Sequence, residues 1–258
     1  MSEQALLQVS DLAVRYGDFV ACEAINFELY AGEVLGVVGE SGSGKTSLLK
    51  ALSTQHVPSQ GTVKYTPRDN KTLSLYQLPE AKRRHLMRSE WGVVHQNPRD
   101  GLRLNVSAGA NIGERLMANG QRHYANIRQQ ASDWLTQVEI DVARLDDMPT
   151  TFSGGMQQRL QIARNLVTQP RLIFMDEPTG GLDVSVQARL LDLLRKLVAQ
   201  YQLSVIIVTH DLAVARLLSH RLMVMQQGRV VETGLTDQVL DDPQHPYTQL
   251  LVSSVLQP

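Results

Sequence analysis

The sequence predicts an α/β fold with a parallel core sheet, a flanking antiparallel β-sheet and a helical subdomain. Short unbroken apolar runs recur along the 258 residues, each run ends in a polar cluster, and one long intervening stretch turns helical and polar.

The runs are Val34-Leu35-Gly36-Val37-Val38, Trp91-Gly92-Val93-Val94, Leu172-Ile173-Phe174-Met175 and Val205-Ile206-Ile207-Val208. Runs of this length read as strands buried on both faces, the habit of a parallel sheet covered by helices. After the third, Val186, Leu190, Leu193, Leu194 and Leu197 form one apolar helix face that returns the chain to the fourth. Alternation in Ile25-Asn26-Phe27-Glu28-Leu29 and Thr62-Val63-Lys64-Tyr65 reads as half-exposed strands. Gln227-Gly228 reads as a hairpin turn between residues 222–225 and 230–232, and these pieces make the small antiparallel sheet. Between residues 97 and 151 the pattern is helical, with Ile127, Ala131, Trp134, Leu135 and Val138 near helical spacing. One domain over 1–258 is expected: a core from 1–96 and 160–235, a helical subdomain over 97–159 and a tail over 236–258.

Lys+Arg 25 against Asp+Glu 26 gives a net charge of −1, which argues against a general nucleic-acid binder. No apolar run reaches the length of a membrane span, and Met1-Ser2-Glu3-Gln4-Ala5 has neither a basic start nor an apolar run, so a cytoplasmic chain without membrane insertion is expected. Cys22 is the one cysteine and has no Cys or His neighbour at metal spacing, so it reads as a packed side chain.

The run ends are Gly39-Glu40-Ser41, His95-Gln96, Asp176-Glu177 and Thr209-His210. Ligands of open α/β sheets bind beyond the carboxyl ends of the strands, so these clusters are expected on one edge. Gly39-Glu40-Ser41-Gly42-Ser43-Gly44-Lys45-Thr46-Ser47 fits the phosphate-loop pattern G-x-x-x-x-G-K-[ST] and follows a strand. Its backbone N–H groups and the following helix N-terminus suit phosphate oxygens, Lys45 suits the β and γ phosphates, and the Thr46 hydroxyl suits Mg²⁺. Asp176 can enter the Mg²⁺ shell, and Glu177 can orient or deprotonate water. His210 is either a γ-phosphate donor or a structural histidine. Gln96 can link metal or water to the segment after it, or be an ordinary turn residue. Tyr16 can stack on a base or pack as a core tyrosine. Phe152-Ser153-Gly154-Gly155-Met156-Gln157-Gln158-Arg159 opens a helix whose N-terminus is a second anion site. A second site is explained if it serves the nucleotide of another subunit, so that ATP is clamped between two chains.

Together these residues resemble the ATP-binding-cassette (ABC) ATPases over nearly the whole chain. The resemblance implies an ABC-type P-loop NTPase that hydrolyses ATP with Mg²⁺. By that pattern Gly39 to Ser47 are the Walker A loop, Gln96 the Q-loop, Ser153, Gly154, Gly155 and Gln157 the signature, Asp176 and Glu177 Walker B with its catalytic glutamate, Asp183 the D-loop and His210 the H-loop. Gln96, Thr46 and Asp176 then serve the metal, Glu177, His210 and Gln96 the catalysis, and Tyr16 stacks on adenine. Two departures stand out: Met156 where many members have Gln, and Gly180-Gly181 where Ser-Ala is usual before Leu182-Asp183. The double glycine implies added backbone freedom between subunits.

Met156, Asp183-Val184-Ser185-Val186-Gln187 and His245-Pro246-Tyr247-Thr248 are similar to ATP-binding subunits of oligopeptide, dipeptide and nickel importers. Residues 91–103 and 106–117 more closely resemble the ATPases of carbon–phosphorus lyase assemblies, which implies docking on lyase core subunits, with an ATP-dependent homodimer or a dimer with a related ATPase. A lone Cys22 excludes an iron–sulfur centre, so carbon–phosphorus bond cleavage is expected elsewhere. The docking surface is expected within residues 97–122, with Arg99, Arg103 and Arg115 exposed.

Overall fold

The computed structural model describes residues 4–255. Met1, Ser2 and Glu3 of the expected leaderless start, and Leu256, Gln257 and Pro258 of the tail, lie outside the described residues. The chain forms two compact units, Met1–Arg83 with Gln202–Pro258, and Arg84–Tyr201.

In the first unit, β1 (Leu7–Tyr16) pairs antiparallel with β2 (Phe19–Leu29), β3 (Val34–Val38) is buried throughout, and α1 (Lys45–Leu52) follows the phosphate loop. Strands β4 (Gln60–Tyr65) and β5 (Leu73–Ser74) complete an antiparallel sheet in the order β2-β1-β4-β5. Helix α2 (Glu80–Ser89) carries the chain into the second unit.

There β6 (Trp91–Val94) is followed by α3 (Pro98–Gly101), α4 (Ala108–Ala118), α5 (Tyr124–Gln137) and α6 (Gly154–Leu166). Strand β7 (Leu172–Asp176) pairs parallel with β6, Trp91 opposite Leu172, and leads to α7 (Val184–Tyr201). Helix α5 buries Ile127, Ala131, Trp134 and Leu135, with Val138 buried at its end, the apolar spacing expected of the helical stretch, and α4 buries Ile112 and Leu116.

Back in the first unit, β8 (Ser204–Thr209) lies parallel to β3 and leads to α8 (Leu212–Leu218). Strands β9 (Arg221–Gln226) and β10 (Arg229–Leu235) form the hairpin over Gln227-Gly228, both at positive φ, before α9 (Thr236–Asp241) and α10 (Pro246–Val255). The hairpin does not join the antiparallel sheet as expected, because β9 is parallel to β3, Leu35 opposite Arg221. Leu222, Met223, Val224 and Met225 are all buried, so β9 has no face to leave to water. The tail packs here too: Tyr247 and Leu240 share a cluster with Val38, Leu222 and Val224. Among the described residues no helix is long and apolar enough to cross a membrane.

Candidate active site

Strand β3 ends in the phosphate loop. Gly39 and Gly44 take φ of 148° and 99°, and a Cβ on either would lie 2.2 Å from the Met225 carbonyl or 2.3 Å from that of Ala21. Only glycine lets the loop pass this close to its supports. The Gly228 N–H donates to the Ser43 carbonyl at 3.1 Å, so the β9–β10 turn holds the loop from outside. Lys45 opens α1 and is only 5% exposed. Its Nζ donates to the carbonyls of Gly39 and Glu40 at 2.8 and 2.7 Å and to Ser43 Oγ at 3.3 Å. The loop therefore supplies the acceptors that satisfy this buried amine and hold it against the loop backbone. Glu40, Ser41, Gly42 and Thr46 are exposed there, and Ser47 is half-buried.

Tyr16, at the end of β1, is 43% exposed, and its ring centroid lies 4.6 Å from that of His56 at a 39° tilt. It is therefore an open ring with a supported face rather than a core tyrosine. His210 follows β8 and is exposed. Its turn is fixed on both sides: the Asp211 N–H donates to Thr209 Oγ1 at 3.0 Å, and Asp211 caps α8 through Ala213 N–H at 2.8 Å.

In the second unit, β6 and β7 bring Gln96 and Glu177 together at their ends: Gln96 Nε2 donates to Glu177 Oε2 at 3.0 Å. Glu177 has φ 40°, a left-handed conformation that L-residues rarely adopt, while Asp176 ends the regular strand, half-buried. A Cβ on Gly180 would lie 3.1 Å from Gln96 Nε2 and 3.2 Å from the Glu177 carbonyl, so the first glycine of the pair is packed against the carboxylate's support. Gly181 has open space around it and φ 75°.

Ser153 caps α6, its hydroxyl accepting from Met156 N–H at 3.3 Å, and Ser153 and Gly154 are exposed. Gly155 is buried where a Cβ would meet Val186 of α7 at 2.5 Å. Gln157 occupies a supporting place: it is buried, and its amide donates to the carbonyls of Pro149 and Phe152 at 2.8 and 3.2 Å. Asp183 caps the first turn of α7, where the Val186 N–H and the Ser185 hydroxyl hold its carboxyl below the usual range.

A family model described as ABC transporter matches residues 22–180, and one described as oligopeptide/dipeptide transporter, C-terminal region, matches residues 231–258. The chain is an ABC-family ATPase. It is 66% identical over 98% of its length to the phosphonates utilization ATP-binding protein PhnK of Escherichia coli (strain K12), 99% of which is covered. It is 37% identical over 97% of its length to the dipeptide transport ATP-binding protein DppD of the same organism, covering 78% of that protein. Among solved ABC structures it is similar to cbiO1 from Clostridium perfringens, with TM-score 0.80 and 28% identity over 93% of this chain and 92% of that one. A dimeric post-hydrolysis state of the cassette MJ0796 bound to ADP and Pi matches with TM-score 0.79 and 27% identity, over 89% and 98%.

Three features of this ABC ATPase escaped the sequence reading. Arg115 is not an exposed contact arginine: it donates to the carbonyls of Trp91 and Met87 at 2.7 and 3.3 Å. Burial, with the charge of Arg164 adding to it, pulls its guanidinium down to about 10. Tyr247 accepts the N–H of Glu40, and Gln158, Gln161 and Asn165 bind the strand before Gln96.

Proposed function

We propose that the chain is the ATPase subunit of a carbon–phosphorus lyase assembly, using ATP binding and hydrolysis to drive a conformational step in phosphonate breakdown. The carrying observation is the 66% identity to a phosphonates utilization protein, 99% of which is covered, against 37% to a dipeptide transport protein, 78% of which is covered.

In this reading Lys45 and the loop N–H groups take the phosphates. Tyr16 stacks on adenine, and His210 donates to the γ phosphate. Glu177, held by Gln96, accepts a proton as water attacks the γ phosphorus and the bond to the β–γ bridging oxygen breaks. Ser153, Gly154 and Gly155 grip the nucleotide of a second chain, either another copy or a related ATPase, with Gln157 shaping their loop and Asp183 at the chain-to-chain face. The donors fit Mg²⁺. In the first unit Thr46 offers a hydroxyl oxygen, and in the second Asp176 offers a carboxylate and Gln96 an amide oxygen, all hard ligands. When bound, Mg²⁺ would neutralise charge on the β and γ oxygens.

The tail match to oligopeptide/dipeptide transporters favours an importer subunit as second reading. Purification of the native assembly tests between them. Lyase core subunits in a membrane-free fraction are expected, and recovery with a membrane permease would overturn the lyase reading. Glu177→Gln should still bind ATP, hydrolyse it slowly and hold two chains together.

A further inference from the structure

Strand β6 is the last of its sheet, so the backbone groups on its outer edge need other partners. Alternate residues of a strand send both N–H and C=O to one edge, and here these are Val93 and His95. Two carboxamides of α6 meet them. Asn165 accepts the Val93 N–H at 3.0 Å and donates to the Val93 carbonyl at 2.9 Å. Gln161 accepts the His95 N–H at 2.6 Å and donates to the His95 carbonyl at 3.1 Å. Gln158 adds a donor to the same carbonyl at 3.2 Å and accepts from Gln161 at 3.0 Å. Gln161, Gln158 and Asn165 are 0%, 1% and 4% exposed.

The periods match. Four helical residues advance about 6 Å and two strand residues about 6.6 Å, so amides one turn apart meet alternate strand residues. The helix thereby stands in for a neighbouring strand. Its neighbours leave room for this: a Cβ on Gly101 of α3 would lie 2.3 Å from Gln161 Oε1, and one on Gly92 would lie 3.1 Å from Asn165 Cβ.

We propose that Gln161 and Asn165 are positioning residues that join the strand carrying Gln96 and the helix carrying Ser153 into one body. A displacement at Gln96 is then delivered to the exposed start of α6. His95 directly precedes Gln96, and α6 runs unbroken from Gly154 to Leu166. A dry, fully bonded amide network shifts as a unit rather than stretching. Gly101, seated on Gln161, places the segment after Gln96 on the same link. The proposal deepens the ATPase reading and rests on it.

The test uses Gly101→Ala with Gln161→Ala in the full chain, where the new methyl refills part of the vacated volume while both bonds of Gln161 to His95 are lost. In a Glu177→Gln background, ATP-driven dimerisation should weaken about ten-fold, with the monomer's ATP affinity close to the parent's and its circular dichroism spectrum unchanged. Parental dimerisation by the double variant would reduce the ladder to packing and overturn the proposal. If Glu177→Gln alone never dimerises, the clamp reading fails, and hydrogen exchange decides the proposal by itself. Gln96→Ala should then change exchange at the Gly155 and Met156 amides about three-fold in the parent, and leave it unchanged in the double variant. Absence of that transmission in the parent overturns the proposal.

Discussion

The N–H of Glu40 donates to the hydroxyl of Tyr247 at 2.9 Å, tying the phosphate loop to the C-terminal helix across 207 residues. The ring of Tyr247 is packed in the cluster with Val38 and Leu222, and α10 is in turn anchored by Glu232, which accepts the N–H groups of Gln244 and His245 at 2.8 and 3.0 Å. The tail is thus a brace for the loop entrance.

Tyr247→Phe keeps the packing and removes the acceptor. The expected loss is about 1 kcal/mol of stability, with a weakening of ATP binding of similar size or less. Calorimetric titration and thermal melts check it, and no change in either would show that the loop holds its shape without the tail.

Lys45→Ala removes the buried cation and leaves the Gly39 and Glu40 carbonyls without its donors. ATP affinity should fall by about 2–3 kcal/mol, the scale of a charge-assisted hydrogen bond. Equilibrium binding to the refolded variant, with circular dichroism to verify its fold, measures this. Equal affinity would remove the phosphate-loop assignment.

Cys22 is buried, and burial pushes its thiol up from 9.0 to about 11, against the pull of a Val14 backbone hydrogen bond. A raised folded value means stability fully present below the unfolded value and lost as pH rises through the folded one. About 2–3 kcal/mol should disappear between those pH values. Denaturant melts of the parent and of Cys22→Ala across this window should converge as pH rises, and parallel curves would contradict the buried thiol.

If the chain serves the lyase assembly proposed above, Arg99→Glu with Arg103→Glu should weaken its association with the partner subunits while ATP binding by the isolated chain survives. Arg103 is exposed and loses only its 2.8 Å pair with Glu114, worth about 0–1 kcal/mol at a surface. Co-purification is the measurement, and parental recovery of partners would move the docking surface elsewhere.

Much of this was legible because it is local. Strands β3, β6, β7 and β8 announce themselves as unbroken apolar runs, since burial on both faces leaves no polar positions. The phosphate loop and Asp176-Glu177 each lie within one short stretch. Strand β1 was not legible: the pairing register shifts between Val9 and Leu12, where Asp11 takes a positive φ, and the alternation breaks. Nor was the Gln161 and Asn165 ladder, because a buried amide and a solvated one look alike until the strand edge they serve is known. Arg115 misled for the same reason. Its charge reads as surface, yet the carbonyls of Trp91 and Met87 supply what water would have.

The resemblance implies added backbone freedom at the paired glycines before Leu182, and within the chain Gly180 is closely seated. With Gly180 against the Gln96 amide and Gly181 at φ 75°, the loop is a fitted part of this chain. Exchanging it for the Ser-Ala form common in the family would press a side chain onto the glutamine and strain the following backbone. The loop is therefore not an interchangeable module in this chain: a graft would have to bring its own accommodation around residue 96.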